Sequence, residues 1–309
     1  MLLFLARKKE RKDVFDLNIV TTTTELRRQL APMRGQERIA FVPTMGCLHQ
    51  GHLSLIRKAK KMADIVVVSI YVNPLQFGPD EDFDAYPRIF KEDAELCENE
   101  DVDIIFHPDT LYPDDGIKIS LKVAELDSCL CGSTRPGHFD GVATVVNMLF
   151  NIVQPDIAIF GEKDYQQLAI ISRMVNDLQM DVEIIGSETL RESDGLAMSS
   201  RNRYLSEDDR SRAPRLHQTL QFMKSLFEQG ETDTRQLIKF GKSKLSDAGI
   251  KPEYLEIRDA RNLMSVRELD NIPARIFIAA NIGNTRLIDN IALDRATNIE
   301  QNHAMETLQ

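Results

Sequence analysis

Two histidines, His49 and His52, stand three residues apart in Ile39-Ala-Phe-Val-Pro-Thr-Met-Gly-Cys-Leu-His-Gln-Gly-His52. At that spacing two imidazoles face the same way at the start of a helix. There they can donate hydrogen bonds to phosphate oxygens as negative charge builds in a transition state. A zinc reading needs a third ligand, and zinc peptidases carry histidines four apart around a Glu, whereas Gln50 and Gly51 fill this gap. A pair of capping or surface histidines is the plainer alternative.

Further polar stretches offer partners for such a centre. Gly161-Glu-Lys-Asp-Tyr-Gln-Gln167 supplies Lys163 for phosphate, Asp164 for a ribose hydroxyl and Gln167 for a substrate hydroxyl or carboxylate. Asn73 and Gln76 are uncharged polar groups beside Leu75 and Phe77, a mixed lining that suits a small polar ligand. Arg191 and Met198-Ser-Ser-Arg-Asn202 put small hydroxyls beside a cation, with the Arg201 fork suited to triphosphate oxygens. Each stretch also reads as an ordinary turn, cap or solvated loop. Arg135-Pro-Gly-His138 follows Cys129 and Cys131, but Cys-x-Cys is not the usual zinc spacing and no fourth ligand is near.

The elements that must position these residues alternate. Ile39–Val42 is a short apolar run read as a buried strand that Pro43 ends; Gly46 permits a sharp turn, and Leu53, Ile56, Ala59 and Ala63 mark a helical face. Before it, Thr21-Thr-Thr-Thr-Glu offers N-caps for a helix ending near Met33–Gly35. After it come a β-branched strand over 65–72, a helix over 89–99, a strand over 103–106 and a strand-like stretch over 117–126. Helix 140–153, strand 157–160, helix 165–178 and strand 182–185 complete a β-α-β-α series. Such alternation predicts an α/β, doubly wound (Rossmann-like) parallel sheet, whose ligands bind beyond the carboxyl ends of its strands. The pattern then changes to helices over 206–228 and 232–248 and strands over 253–258 and 275–280, a smaller α+β domain. The predicted domains are 1–188, including an extension over 1–18, and 189–309.

Size and charge narrow the classes. A chain of 309 residues that is 42% hydrophobic and 28% charged is globular. No stretch approaches the roughly 20 apolar residues of a membrane span, and the apolar start precedes its charges, the reverse of a secretory signal. Four irregularly spaced cysteines predict a reduced, cytoplasmic compartment. A net charge of −10 with no long basic block argues against nucleic acid as a partner.

Taken in order, Pro43-Thr-Met-Gly-Cys-Leu-His-Gln-Gly-His-Leu-Ser-Leu, Tyr71-Val-Asn-Pro-Leu-Gln-Phe-Gly, Arg135-Pro-Gly-His-Phe-Asp-Gly-Val, Phe160-Gly-Glu-Lys-Asp-Tyr-Gln-Gln-Leu, Arg191-Glu-Ser-Asp-Gly-Leu-Ala-Met-Ser-Ser-Arg-Asn, Tyr254-Leu-Glu-Ile-Arg-Asp-Ala and Leu287-Ile-Asp-Asn-Ile closely resemble the pantothenate synthetase (pantoate–β-alanine ligase) family. The resemblance runs from about residue 19 to 293. His-x-Gly-His alone points only to the wider nucleotidyltransferase superfamily. The resemblance implies an ATP- and Mg²⁺-dependent ligase: pantoate is adenylated, then β-alanine displaces AMP to give pantothenate. It further implies that Met45, Gly46 and Gly161 border the nucleotide and that His49 and His52 steady the reacting phosphates. Lys163 and Asp164 would hold phosphate and ribose. Met198, Ser199, Ser200 and Arg201 would form the loop that grips the triphosphate. Gln76 and Gln167 would bind pantoate, with Asn73, Arg135 and His138 lining its pocket. The family is expected to act as a homodimer, with the smaller domain as a lid. Cys47 stands where the family more often has Ala, which exposes the loop to thiol reagents. Another nucleotidyltransferase would have no use for the two glutamines, and a non-catalytic nucleotide-binding regulator would have lost some of these motif residues.

Overall fold

The computed structural model describes residues 17–79 and 81–293, so most of the predicted extension and the tail beyond 293 lie outside the described residues. Its chain forms two compact units. The first holds the residues up to Arg191 together with Met198–Ser200; the second holds Glu192–Ala197 and the chain from Arg201 onward.

The first unit is built on six parallel strands: β1 (Asn18–Val20), β2 (Ile39–Thr44), β3 (Ile65–Ile70), β4 (Ile104–Phe106), β5 (Ile157–Gly161) and β6 (Glu183–Ser187). Their order across the sheet is β1-β4-β3-β2-β5-β6, every pair parallel. The chain winds outward from β2 through β3 to β4, then returns to place β5 on the other side of β2. The order therefore reverses between β2 and β5, and that crevice is where a doubly wound sheet binds its ligand. Every residue of β3 is buried, as the continuous β-branched run predicts for a strand covered on both faces. Around the sheet lie α1 (Thr23–Leu30), α2 (Gln50–Met62), α3 (Phe90–Asn99), α4 (Leu130–Thr134), α5 (His138–Val153) and α6 (Tyr165–Asp177). Leu53, Ile56 and Ala59 of α2 pack on Ala40, Val42, Ile157 and Ile159, so this helix straddles the crevice between β2 and β5.

Several sequence expectations change here. Pro43 does not end β2, which continues to Thr44 alongside Ser69 and Ile70. The Thr44 carbonyl accepts from Tyr71 on the β3 side, so its neighbour Pro43 faces β5, where pairing stops at Phe41. No N–H is needed there, and proline is tolerated. Helix α1 stops at Leu30, short of Met33, because Pro32 has no N–H to continue the ladder. Residues 117–126 form no strand: the Leu121 and Val123 amides donate to Thr144 Oγ1 (3.0 Å) and Asp140 Oδ1 (2.7 Å) of α5 instead of to a sheet.

The second unit packs α7 (Glu207–Arg212), α8 (Arg215–Glu228) and α9 (Thr234–Asp247) against an antiparallel sheet, β7 (Pro252–Asp259), β8 (Ala274–Ile282) and β9 (Thr285–Ala292). Leu216, Leu220 and Met223 of α8 and Leu237 and Leu245 of α9 meet Leu255, Ile257, Ile276 and Ile278. The single helix expected over 206–228 is two, divided at Ala213-Pro214, and β9 is a strand that sequence reading passed over.

Candidate active site

The loop after β2 opens the site. Gly46 and Cys47 take left-handed backbone angles (φ 80° and 52°), which turn the chain sharply into α2. A Cβ at 46 would stand 2.8 Å from Asp93 Oδ2, so glycine is required twice over. Asp93, buried on α3, accepts from the amides of Cys47 (2.8 Å) and Leu48 (2.7 Å) and pins the loop. Sequence reasoning missed it. The signal available was an acidic residue on the same helical face as the buried Cys97, where only a partnered carboxylate survives burial.

His49 is the N-cap of α2. Its Nδ1 accepts from Gly51 N–H (3.1 Å), while His52 Nδ1 accepts from His49 N–H (3.3 Å). The two rings lie 4.1 Å apart. Because each Nδ1 accepts, each neutral ring carries its proton on Nε2, so the pair presents two N–H donors at a helix N-terminus. Burial, and then the neighbouring His49 and Lys163, push the His52 pKa down to about 3. His52 is therefore a neutral donor at physiological pH. A Cβ at Gly51 would strike the His49 ring at 2.7 Å and sit 3.6 Å from Met198 Cβ. That glycine lets His49 fold back, and the same contact brings the Met198–Ser200 stretch to the histidines.

From the other side of the crevice, the turn Glu162–Asp164 follows β5. Lys163 Nζ lies 3.8 Å from Asp164 Oδ2, and its charge reaches His52. Gln166 and Gln167 open α6 with different fates. Gln166 is buried, accepts from Cys131 N–H (3.0 Å) and donates to the Leu126 (2.8 Å) and Cys129 (2.9 Å) carbonyls. Gln167 is half-buried.

The loop after β3 carries a turn over Pro74–Gln76. Gln76 Nε2 contacts Met45 Sδ at 3.1 Å, joining the β2 and β3 loops. Asn73, expected to line the substrate pocket, is 1% exposed. Its amide donates to Gln76 Oε1 (3.0 Å) and the Gly141 carbonyl (3.2 Å), and its oxygen accepts from Leu75 N–H (3.3 Å) and the Tyr112 hydroxyl. With both donors and both acceptor positions filled, Asn73 holds the loop and has nothing left for a substrate. Arg135 and His138 likewise bind protein. Arg135 forks onto Glu81 and donates to the Gln76 carbonyl (3.3 Å) and to His138 Nε2 (3.0 Å). An acceptor at Nε2 leaves the proton on His138 Nδ1, which donates to the same Gln76 carbonyl (2.7 Å). Burial, then Arg135, lower the His138 pKa to about 4. Both residues thus set where Gln76 stands.

Ser199 and Ser200 are half-buried and belong to the first unit; Arg201, also half-buried and part of the 3₁₀ turn Ser200–Tyr204, belongs to the second. Cys47 is fully buried, so the expected opening to thiol reagents is closed in the folded chain. Among the described residues no group of three or more His, Cys, Asp or Glu side chains could hold a metal.

Fold and site define a doubly wound α/β enzyme whose switch point gathers the His49 and His52 imidazoles and Lys163. The chain matches the Pantoate-beta-alanine ligase family over residues 18–292. It is 50% identical over 283 residues to the pantothenate synthetase of Pseudomonas putida KT2440, covering 90% of this chain and 98% of that one. The pantothenate synthetase of Pseudomonas fluorescens Pf0-1 is 49% identical, covering 91% and 99%. The solved pantothenate synthetase of Thermus thermophilus superposes with a TM-score of 0.85 at 42% identity, covering 89% and 99%. The Francisella tularensis pantoate-β-alanine ligase, complexed with beta-gamma ATP and β-alanine, gives 0.76 at 35%, covering 90% and 98%. The chain belongs to the pantoate-β-alanine ligase family: it is a ligase that joins pantoate to β-alanine.

Proposed function

We propose that the chain makes pantothenate from ATP, pantoate and β-alanine through a pantoyl adenylate. In the first step a pantoate carboxylate oxygen attacks the α-phosphorus, and the bond to pyrophosphate breaks. In the second the β-alanine amine attacks the acyl carbon, and AMP leaves with the bonding electrons. Neither step needs a covalent nucleophile, so catalysis rests on positioning and on charge stabilisation.

The observation that carries this reading is the reciprocal cap of His49 and His52, which fixes two Nε2–H donors beside Lys163 at the β2/β5 crevice. We assign these donors and Lys163 to the phosphates, Asp164 to the ribose, and Met45, Gly46, Gly161 and Met198 to the nucleotide border. Ser199, Ser200 and Arg201 take the β- and γ-phosphates. Gln76 and Gln167 take the hydroxyl and carboxylate of pantoate, with Arg135 and His138 fixing Gln76.

Mg²⁺ would enter with the nucleotide and offset the charge of its phosphates. The described residues offer it no cage of their own, and no step is assigned to it. A cytoplasmic homodimer completes the proposal. The free cysteines favour a reducing compartment, and no described helix is long and apolar enough to cross a membrane.

The test is AMP formation from ATP, Mg²⁺ and pantoate, with and without β-alanine, on protein whose mass is read by light scattering. Sustained AMP release that needs both acids supports the ligase. Folded protein that binds ATP but releases no AMP refutes it in favour of a regulator.

A further inference from the structure

In the second unit, the residues on either side of Met198-Ser-Ser-Arg201 form a hydrogen-bonded polar network. Glu192–Ala197 is a tight turn: Glu192 N–H donates to the Leu196 carbonyl (2.8 Å), Gly195 N–H to the Glu192 carbonyl (2.9 Å), and Gly195 has φ 94°. Asn202 Nδ2 donates to the Ala197 carbonyl (3.1 Å) and to Glu192 Oε1 (2.8 Å). The residue just before Met198 is thus tied to the residue just after Arg201, and the four between them form a loop pinned at its base.

That base is anchored to α7. Arg210 donates to Glu192 Oε2 (2.6 Å) and to Asp194 Oδ2 (2.6 Å), one nitrogen for each carboxylate. Glu192 is the hub, with one oxygen on Asn202 and the other on Arg210. The orientation of the Asn202 amide follows from its partners, since a carboxylate and a carbonyl only accept. Its Oδ1 is left buried without a hydrogen-bond partner. Turning the amide would set that oxygen against two other acceptors and break both bonds at the loop base, so the fold tolerates an orphan acceptor to keep the pin.

We propose that Arg210, Glu192 and Asn202 are positioning residues for the Ser199-Ser200-Arg201 loop, acting in the step that handles the triphosphate. This rests on the reading that those three residues grip the phosphates. None of the positioning residues touches substrate; they fix the span and direction of the loop that does. Displacing a gripping loop by about 1 Å costs on the order of 10²-fold in rate. The adenylating half-reaction should therefore suffer. Transfer of an already formed acyl group to β-alanine involves no pyrophosphate and should not.

The experiment measures Arg210→Gln, Glu192→Gln and the conservative Arg210→Lys in the full chain. Three readouts are taken: pantoate-dependent exchange of pyrophosphate into ATP, pantothenate formation from supplied pantoyl adenylate and β-alanine, and hydrogen exchange of the peptide over 197–203. The expected result for Arg210→Gln and Glu192→Gln is a loss of about 10–100-fold in ATP–pyrophosphate exchange with a raised KM for ATP. The second half-reaction stays within twofold, and exchange in 197–203 quickens. Arg210→Lys, which keeps one of the two carboxylate contacts, recovers part of the loss. Equal losses in both half-reactions would make the network merely structural and overturn the proposal, as would wild-type rates in all three readouts. A wild-type chain with no pantoate-dependent exchange, though folded, would instead refute the phosphate-gripping reading and this inference with it.

Discussion

Asp93→Asn is the sharpest probe of how the site is held. The Asp93 carboxylate accepts two amides, Cys47 at 2.8 Å and Leu48 at 2.7 Å, and stabilises a turn in which Cys47, a residue with a Cβ, sits at φ 52°. The asparagine keeps one acceptor and turns an NH₂ group toward the other amide. One charge-assisted bond is lost and a buried N–H is left unpaired, at a combined cost of roughly 2–4 kcal/mol. Hydrogen exchange over the peptide 45–53 should therefore accelerate by about 30- to 700-fold, since 1.4 kcal/mol corresponds to a factor of ten. The same loosening frees His49, so adenylation should fall while circular dichroism is unchanged. Adding Cys47→Gly, which removes the left-handed penalty of roughly 1–2 kcal/mol, should return part of the protection. Exchange within threefold of wild type in Asp93→Asn would refute the claim that this carboxylate sets the loop.

Other outcomes follow from the same geometry. His49→Ala or His52→Ala should slow adenylation by about 10²–10³-fold with the fold intact; near-normal turnover would remove that histidine from the mechanism. Gly141→Ala places a Cβ 2.1 Å from the Leu75 carbonyl and must push the 73–77 loop aside. Its KM for pantoate should rise far more than its KM for ATP, and equal rises would dissociate that loop from pantoate. His52 and His138 take up protons near pH 3 and 4 in the folded chain but near 6.5 when unfolded. The unfolded chain therefore binds more protons between these values, and stability falls as pH drops from about 6.5 toward 4. Melting temperatures across that range should show the slope, and His52→Gln should flatten it. All four cysteines are buried, and burial pushes the Cys97 thiol up to about 12. A thiol-reactive dye should label the chain rapidly only in denaturant, and a fast-reacting thiol in native protein would contradict the packing of Cys47.

Particular residues mark where sequence reading stopped. Ile39–Val42, the β-branched run from Ile65 and the spacing of Leu53, Ile56 and Ala59 are local signals, because a strand buried on both faces and a one-sided helix leave their periods in the chain. The His-x-Gly-His and Lys-Asp-Tyr-Gln-Gln segments were legible as loops beyond strand ends for the same reason. Residues 117–126 have a strand's composition but find helix α5 instead of a neighbour, and composition cannot supply a partner. Asn73 and Gln76 look alike in sequence, as do Gln166 and Gln167. In each pair one residue, Asn73 or Gln166, is buried, and the other is half-buried. Asp93 lies 44 residues beyond His49 in the chain, and nothing local joins them.

The sequence by itself determined the alternation of strands and helices, the loops that carry polar groups, and the family. The tertiary structure decided which loops meet. Strand order placed the β2 and β5 loops on either side of one crevice, and buried hydrogen bonds made Asn73, Asp93 and Gln166 the groups that hold the loops. The physical reason is that a period or a motif is a property of neighbours along the chain. Hydrogen-bond saturation depends on neighbours in space, and packing brings those together only once the sheet has formed.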